Sequence, residues 1–390
     1  MKYNFDRMID RTGTSSLKWD FREKFTGVKD ILPMWVADMD FETAPPVLEA
    51  VQKRAAHGIF GYTEMADPYY EAFGAWMKKR FNWDIQRQWI VFTPGVIPAL
   101  FLAVQAFTRS GEKVVIQPPV YHPFSQAVVS NGRQLLNNPL KIEGGRYVMD
   151  LEHLENSIDE KTRMLILCSP HNPVGRVWTK EELAQLGRIC VAHKIVIVSD
   201  EIHADLIMKG HSHTPMATLS EEMAEITVTC TAPNKTFNIA GLETAHTIIS
   251  NKALCDRFKT TVHNTGILTA NTFGIVAAQA AYNHGEEWLE QLLDYVQDNY
   301  DFLVSFVKKH MPKIKTFPLE GTFLVWLDFR GLGLPDKEIK TLLRNTAKVW
   351  LDDGPKFGVE GRGFQRMNIG CPRKRLEEGL TRIAHALHSL

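Results

Sequence analysis

Lys235 stands in the stretch CTAPNKTFNIAGL, between an apolar run and a glycine-bearing turn that leads into more apolar chain. An amine held at the end of a buried strand sits where its charge is disfavoured, which lowers its pKa and frees it to form a Schiff base or carry a proton. A solvated loop lysine is the other reading of that stretch alone. Four more chemically capable features follow apolar runs in the same way. Asp200 follows IVIVS, and a carboxylate at the buried end of a strand needs a cationic or donor partner, unless it is an N-cap or a surface ion pair. Asn172 lies in the proline-flanked loop PHNPVG after MLILCS, where its amide could donate to a ligand oxygen or shape a turn. Tyr121 follows KVVIQPPV and offers a ring to stack or pack. After WIVF comes TPGVIPALFLAV, a glycine turn opening a helix whose free N–H groups and dipole suit a phosphate.

Each feature has an ordinary alternative, but together they describe one site. An amine, a carboxylate, an amide donor, an aromatic face and a phosphate-ready helix start are the parts that hold pyridoxal 5′-phosphate: covalent attachment, a partner for the pyridine nitrogen, a donor to O3′, a cover for the ring and a phosphate cup. No G-x-G-x-x-G follows the first strand, which argues against a dinucleotide. His203, His211 and His213 lack the helical spacing of metal ligands, so no metal centre is expected.

The elements that must position these residues follow from the hydrophobic pattern. Short continuous runs of Val, Ile and Leu alternate with helical segments from about residue 89 to 282, as in an α/β domain whose sheet is mostly parallel and covered on both faces. Helical spacing is expected from residue 46 and over 69–80, over Glu286–His310, from Asp336 to about Thr346 and from Lys374. The stretch 31–41 is expected to hold a short strand. The division this suggests is an N-terminal arm at 1–45 that contributes to a small domain, a large cofactor-binding domain at 46–284, and a C-terminal small domain at 285–390.

Composition narrows the function class. With 45 basic and 45 acidic residues in a chain of 390, no charge excess points to nucleic acid or a membrane surface, and a small-molecule ligand fits best. The five scattered cysteines show no C-x-x-C spacing, which fits free thiols in a reducing cytoplasm. No apolar stretch reaches the length of a bilayer span.

The stretches SPHNPVGRVWTKEEL, SDEIHADLI, TAPNKTFNIAGL and RMNIGCPR, with MWVADMDF and GTFLVWLDF, resemble the fold-type I pyridoxal-phosphate enzymes of the class I/II aminotransferase superfamily. They are most similar to its carbon–sulfur lyase branch, the cystathionine β-lyases and cystalysin. The resemblance spans essentially the whole chain. It implies a seven-stranded sheet, makes Lys235 the Schiff-base lysine and Asp200 the pyridinium partner, and gives Asn172, Tyr121 and the amides of Val96 and Ile97 to the cofactor. It also implies that Arg366 binds the substrate α-carboxylate and that Tyr62, in GYTE, reaches the cofactor of a neighbouring subunit in a homodimer with shared active sites. His203 stands where many aminotransferases have a tyrosine. Glu243 replaces an expected phosphate-binding arginine. Ala232 replaces an expected serine, which leaves the hydroxyl of Thr231 or Thr229 as a substitute. The activity implied is α,β-elimination from cystathionine or cysteine-like thioethers to a thiol, pyruvate and ammonia, with transamination as the alternative. A non-catalytic regulatory binder is a third reading, disfavoured by the intact Lys235, Asp200 and Arg366.

Overall fold

In the computed structural model, which describes residues 2–389, the Val- and Ile-rich runs form a seven-stranded sheet. Its spatial order is Ile90–Thr93, Ala245–Ile248, Thr227–Thr231, Val196–Asp200, Thr162–Cys168, Lys113–Ile116 and Gln134–Asn137. All neighbours pair in parallel except Ala245–Ile248, which runs against both of its partners. The carboxyl ends of six strands therefore open on one edge, where open α/β sheets bind ligands. The reversed strand places its amino end there instead, and that polarity delivers Glu243 to the same edge.

The helix Val96–Phe107 is apolar almost all round because the sheet covers one side and the helix Lys252–Asn264 another. Its Leu100, Ala103 and Val104 have no exposed surface, and each large apolar side chain buried this way contributes roughly 1.5–3 kcal/mol. The helix Lys180–Ala192 starts at Thr179 with a capping box to Glu182, as the sequence WTKEEL encodes. The helix Glu286–His310 runs as expected, burying Trp288, Leu292, Val296 and Leu303.

Two local expectations shift, and one strand arrives unannounced. The strand in 31–41 is only Leu32–Pro33, because the chain from Trp35 to Asp38 gives its carbonyls to side chains instead of to a sheet. The helix from Asp336 ends at Thr341 and continues as a π-turn over Leu342–Thr346. The edge strand Gln134–Asn137, half exposed and polar at both ends, carries no continuous apolar run to announce it.

A second, antiparallel sheet joins Lys315–Thr316, Leu324–Asp328, Phe364–Asn368 and Asp352–Asp353 in that order. The arm reaches this part of the chain through Leu32–Pro33, which pairs in parallel with Val349–Trp350. Arm and C-terminal helix are also joined by a buried charge cluster. Asp40 meets Lys18 at 3.0 Å, Arg375 at 2.8 Å and Arg11 at 2.8 Å; burial favours its neutral form, but Lys18, Arg375 and the Trp19 indole N–H outweigh it and hold the carboxyl well below the usual range. No helix among the described residues is long and apolar enough to cross a membrane.

Candidate active site

A cavity of about 420 Å³ opens at the carboxyl ends of the parallel strands. It is lined by Val96, Ile97, Tyr121, Asn172, Asp200, His203 and Lys235, so seven residues scattered over 140 positions of sequence meet in one place. Asn234, Glu243, Cys168 and Ala37 line it as well.

Strand register fixes the centre of the site. Asp200 ends the middle strand, and Cys168 and Cys230 are its register partners on either side. Two neutral thiols, both held above their ordinary range by burial, are thus the neighbours of a buried carboxylate. That carboxylate accepts the Ile202 N–H at 3.2 Å and no other donor among the described residues. Burial pushes its pKa up to about 7, the Ile202 N–H and Lys235 oppose the rise, and Glu201 adds to it. An acid in this setting calls for a cation.

Lys235 lies in a one-turn helix, Pro233–Thr236, that begins directly after the strand Thr227–Thr231. The residue is half-buried, its open surface facing the cavity, and Nζ donates to the carbonyl of Ala37 at 2.5 Å. Burial lowers its pKa to about 8; Asp38 works against the drop, Arg366 adds to it and Asp200 resists it. At neutral pH a fraction of this amine is therefore unprotonated and nucleophilic. His203 is buried, and burial together with the charges of Lys235 and Arg366 drives its pKa down to about 3, leaving a neutral imidazole in the cavity wall.

The loop that carries Asn172 is pinned from several directions. His171 Nε2 donates to Pro119 O at 2.9 Å, Trp178 Nε1 donates to Cys168 O at 2.9 Å, and Tyr121 N donates to Asn172 O at 3.1 Å. Arg176 is clamped between Glu182 and the fully buried Glu320. The loop thus presents the Asn172 amide from a rigid support.

Arg366 arrives from the strand Phe364–Asn368 and packs its guanidinium 4.9 Å from the ring centre of Phe357. Nη1 donates to Asn172 Oδ1 at 2.9 Å, and Nη2 donates to Trp35 O and to Asp352 Oδ2, both at 2.8 Å. Its Nε is buried without an acceptor.

Three residues named from sequence are not among those lining this cavity, and the first of them, Arg366, meets it through its hydrogen bond to Asn172. Thr231 ends its strand half-buried, outside the lining residues. Tyr62 is fully exposed and lies outside the cavity of its own chain. Conversely, sequence reasoning missed Asn234, Ile202, Asp352 and the arm segment 35–38. Asn234 carried a signal, since it directly precedes the lysine. Asp352 carried none, because only the register of two short strands across an irregular loop places it beside Arg366.

The residues suit a flat, anionic, nitrogen-containing cofactor. Asp200 lacks a cationic partner, and Asn234 Oδ1 and His203 Nδ1 are buried without hydrogen bonds. No side chain caps the helix Val96–Phe107, so its first N–H groups are open to an anion. Lys235 is the one lysine or arginine among the described lining residues.

Comparison with known proteins agrees with this geometry. Residues 29–383 match the family described as aminotransferase class I and II. The chain is 45% identical over 385 residues to cystathionine β-lyase PatB of Bacillus subtilis, covering 98% of this chain and 100% of PatB. It is 32% identical over 391 residues to protein MalY of Escherichia coli, covering 100% of both. Among solved structures it superposes on cystalysin from Treponema denticola, which contains a pyridoxal 5′-phosphate cofactor, with a TM-score of 0.97, 38% identity and 100% of both chains covered. The chain belongs to the class I and II aminotransferase family of fold-type I enzymes, in the branch that holds PatB, MalY and cystalysin.

Proposed function

We propose that this protein is a pyridoxal-phosphate-dependent carbon–sulfur β-lyase that cleaves cystathionine or cysteine-like thioethers to a thiol, pyruvate and ammonia. The observation that carries the proposal is the meeting of an amine of lowered pKa with a buried carboxylate that has no cationic partner, in a single cavity of a chain 45% identical to PatB. Pyridoxal phosphate, when bound, supplies an electron-withdrawing ring that stabilises negative charge at the substrate Cα.

The residues of this chain do the rest. Lys235 would hold the cofactor covalently and would move the substrate Cα proton; a pKa of about 8 suits both tasks near neutral pH. Asp200 holds a proton on the ring nitrogen, which relieves the cost of its own burial. Asn172 donates to the ring oxygen and Tyr121 covers one ring face. His203 contributes a neutral imidazole beside the ring. The amides of Val96 and Ile97 and the side chain of Asn234 take the phosphate, so Thr231 is not needed there. Arg366 receives the substrate α-carboxylate with its planar fork. Sulfur departs readily from Cβ, so positioning and removal of the Cα proton are the main demands on the protein.

Tyr62 acts at the site of a second copy in a homodimer. Its exposure supports this, as do the exposed apolar neighbours Ile59 and Phe60 and the exposed Leu268. The same reading divides the chain into an arm at 1–45, a large domain at 46–284 and a small domain at 285–390, supported by the arm strand that pairs with Val349–Trp350. Five buried free thiols support a cytoplasmic location.

The test is direct. Purified holoenzyme mixed with L-cystathionine is expected to release free thiol and pyruvate in equal amounts. Accumulation of pyridoxamine phosphate with neither product would replace the lyase by an aminotransferase.

The phosphate end gives a separate expectation. Glu243 lines the same cavity as the Val96 and Ile97 amides and places a carboxylate where an anion must bind. Glu243→Gln is expected to tighten cofactor binding about threefold at low ionic strength and less in high salt. Asn234→Ala is expected to weaken it about tenfold, the loss of a hydrogen bond to a charged group. Fluorescence titration of the cofactor-free protein with pyridoxal phosphate measures both.

A further inference from the structure

The pairing of Asp352 with Arg366 bears on how the site takes its substrate. The antiparallel register sets the two residues directly opposite each other, and both side chains are almost wholly buried, at 3% and 2% exposure. The second carboxylate oxygen of Asp352 accepts from Lys356 Nζ at 2.8 Å, and that lysine is 42% exposed. The loop that follows is held close. Gly354 and Gly361 approach so nearly that a Cβ on either would collide with the carbonyl of the other.

The arginine donors can be counted. Both protons of Nη2 are committed, one to Trp35 O and one to Asp352, and one proton of Nη1 goes to Asn172. Nη2 belongs to both the end and the side edge of the guanidinium. A carboxylate therefore gains a two-pronged grip on either edge only by taking an Nη2 proton from an acceptor already present. Trp35 O is fixed in the arm backbone. Asp352 is the acceptor that can give way without being stranded, because Lys356 holds its other oxygen.

From this we infer that Asp352 is a positioning residue that competes with the substrate α-carboxylate for Arg366, and that Lys356 sets the strength of this competition. Without substrate, Asp352 orients and neutralises the buried guanidinium. When substrate arrives, its carboxylate displaces Asp352 Oδ2 from Nη2, and Asp352 stays paired with Lys356. The exchange makes an α-carboxylate the entry requirement and moderates its affinity, which favours release of product. The inference rests on the reading of Arg366 as the α-carboxylate receptor.

The test follows the cofactor absorbance of the holoenzyme during titration with two amines. L-Alanine carries an α-carboxylate and no leaving group, whereas ethylamine carries no carboxylate. Asp352→Asn, which removes the competing charge and keeps the shape, is expected to lower the alanine Kd about fivefold and leave the ethylamine Kd unchanged. Lys356→Met, which frees Asp352 to hold Arg366 more tightly, is expected to raise the alanine Kd by about the same factor. With cystathionine, KM is expected to move in the same two directions while kcat stays within about twofold. A rise in alanine Kd in Asp352→Asn, shifts of one sign in both variants, or an equal shift for ethylamine would overturn the inference and leave Asp352 a packing residue. Unchanged alanine affinity in Arg366→Gln would remove its premise. Alanine binding needs no cleavage of a C–S bond, so these outcomes are separate from the success or failure of the lyase assignment.

Discussion

Lys235→Ala is expected to slow thiol release from cystathionine by about ten-thousandfold while leaving the protein folded. The amine is the one group in the cavity with both the position and the pKa to attach a carbonyl cofactor and move a proton, and no second lysine lines the cavity. A structural role predicts a different result. Because the folded state lowers the lysine pKa from 10.5 to about 8, it penalises the protonated form. That penalty is complete below about pH 8 and disappears as pH rises toward 10.5. Cofactor-free Lys235→Ala is therefore expected to be more stable than the parent at pH 7, by roughly 2–3 kcal/mol, and equal to it near pH 10.5. Denaturant titrations at the two pH values measure this. Substantial remaining activity, or a cofactor still covalently attached, would remove Lys235 from its place.

Asp200→Asn is expected to lower kcat by about a thousandfold, more than any change in KM, because an amide cannot hold the ring nitrogen in its protonated form by charge. The cofactor-free protein carries a second signature. Burial raises the Asp200 pKa from 3.8 to about 7, so the folded state retains a proton that the unfolded chain releases. Its contribution is neutral below about pH 4, becomes increasingly unfavourable as pH rises to 7, and is complete above 7. The parent is therefore expected to lose on the order of 4 kcal/mol relative to Asp200→Asn between pH 4 and pH 8. Saturating pyridoxal phosphate is expected to abolish most of that loss by giving the carboxylate its cation. A kcat within about tenfold of the parent would show that ring protonation does not depend on this residue.

Much of the site was legible because its residues sit at the ends of continuous apolar runs, and one rule about the open edge of an α/β sheet brings such ends together. Asp200, Lys235, Asn172, Tyr121 and the helix start at Val96 all follow that rule, and all line the cavity. Arg366 does not; only the family resemblance singled it out. Its partner Asp352 was hidden because it lies in a two-residue strand whose register with Phe364–Asn368 leaves no trace in local pattern. The edge strand Gln134–Asn137 was hidden for a simpler reason: its half-exposed, polar-ended sequence resembles a loop. The charge cluster around Asp40 escaped notice because its members, Arg11, Lys18 and Arg375, lie at opposite ends of the chain and each looks like an ordinary surface charge.

The arm segment from Trp35 to Asp38 touches Lys235, Arg366 and Asn368 through four backbone carbonyls. Because those contacts use the main chain, the side chains of Val36 and Ala37 are left out of them, and both residues are half-buried, with Ala37 lining the cavity. The segment therefore separates a fixed main chain from a replaceable side chain. The backbone is held to one course by these hydrogen bonds, while the side chain at 37 faces the cavity without taking part in them. Substitution of Ala37 offers a route to altered cavity shape that keeps the main-chain acceptors of the lysine and the arginine in place.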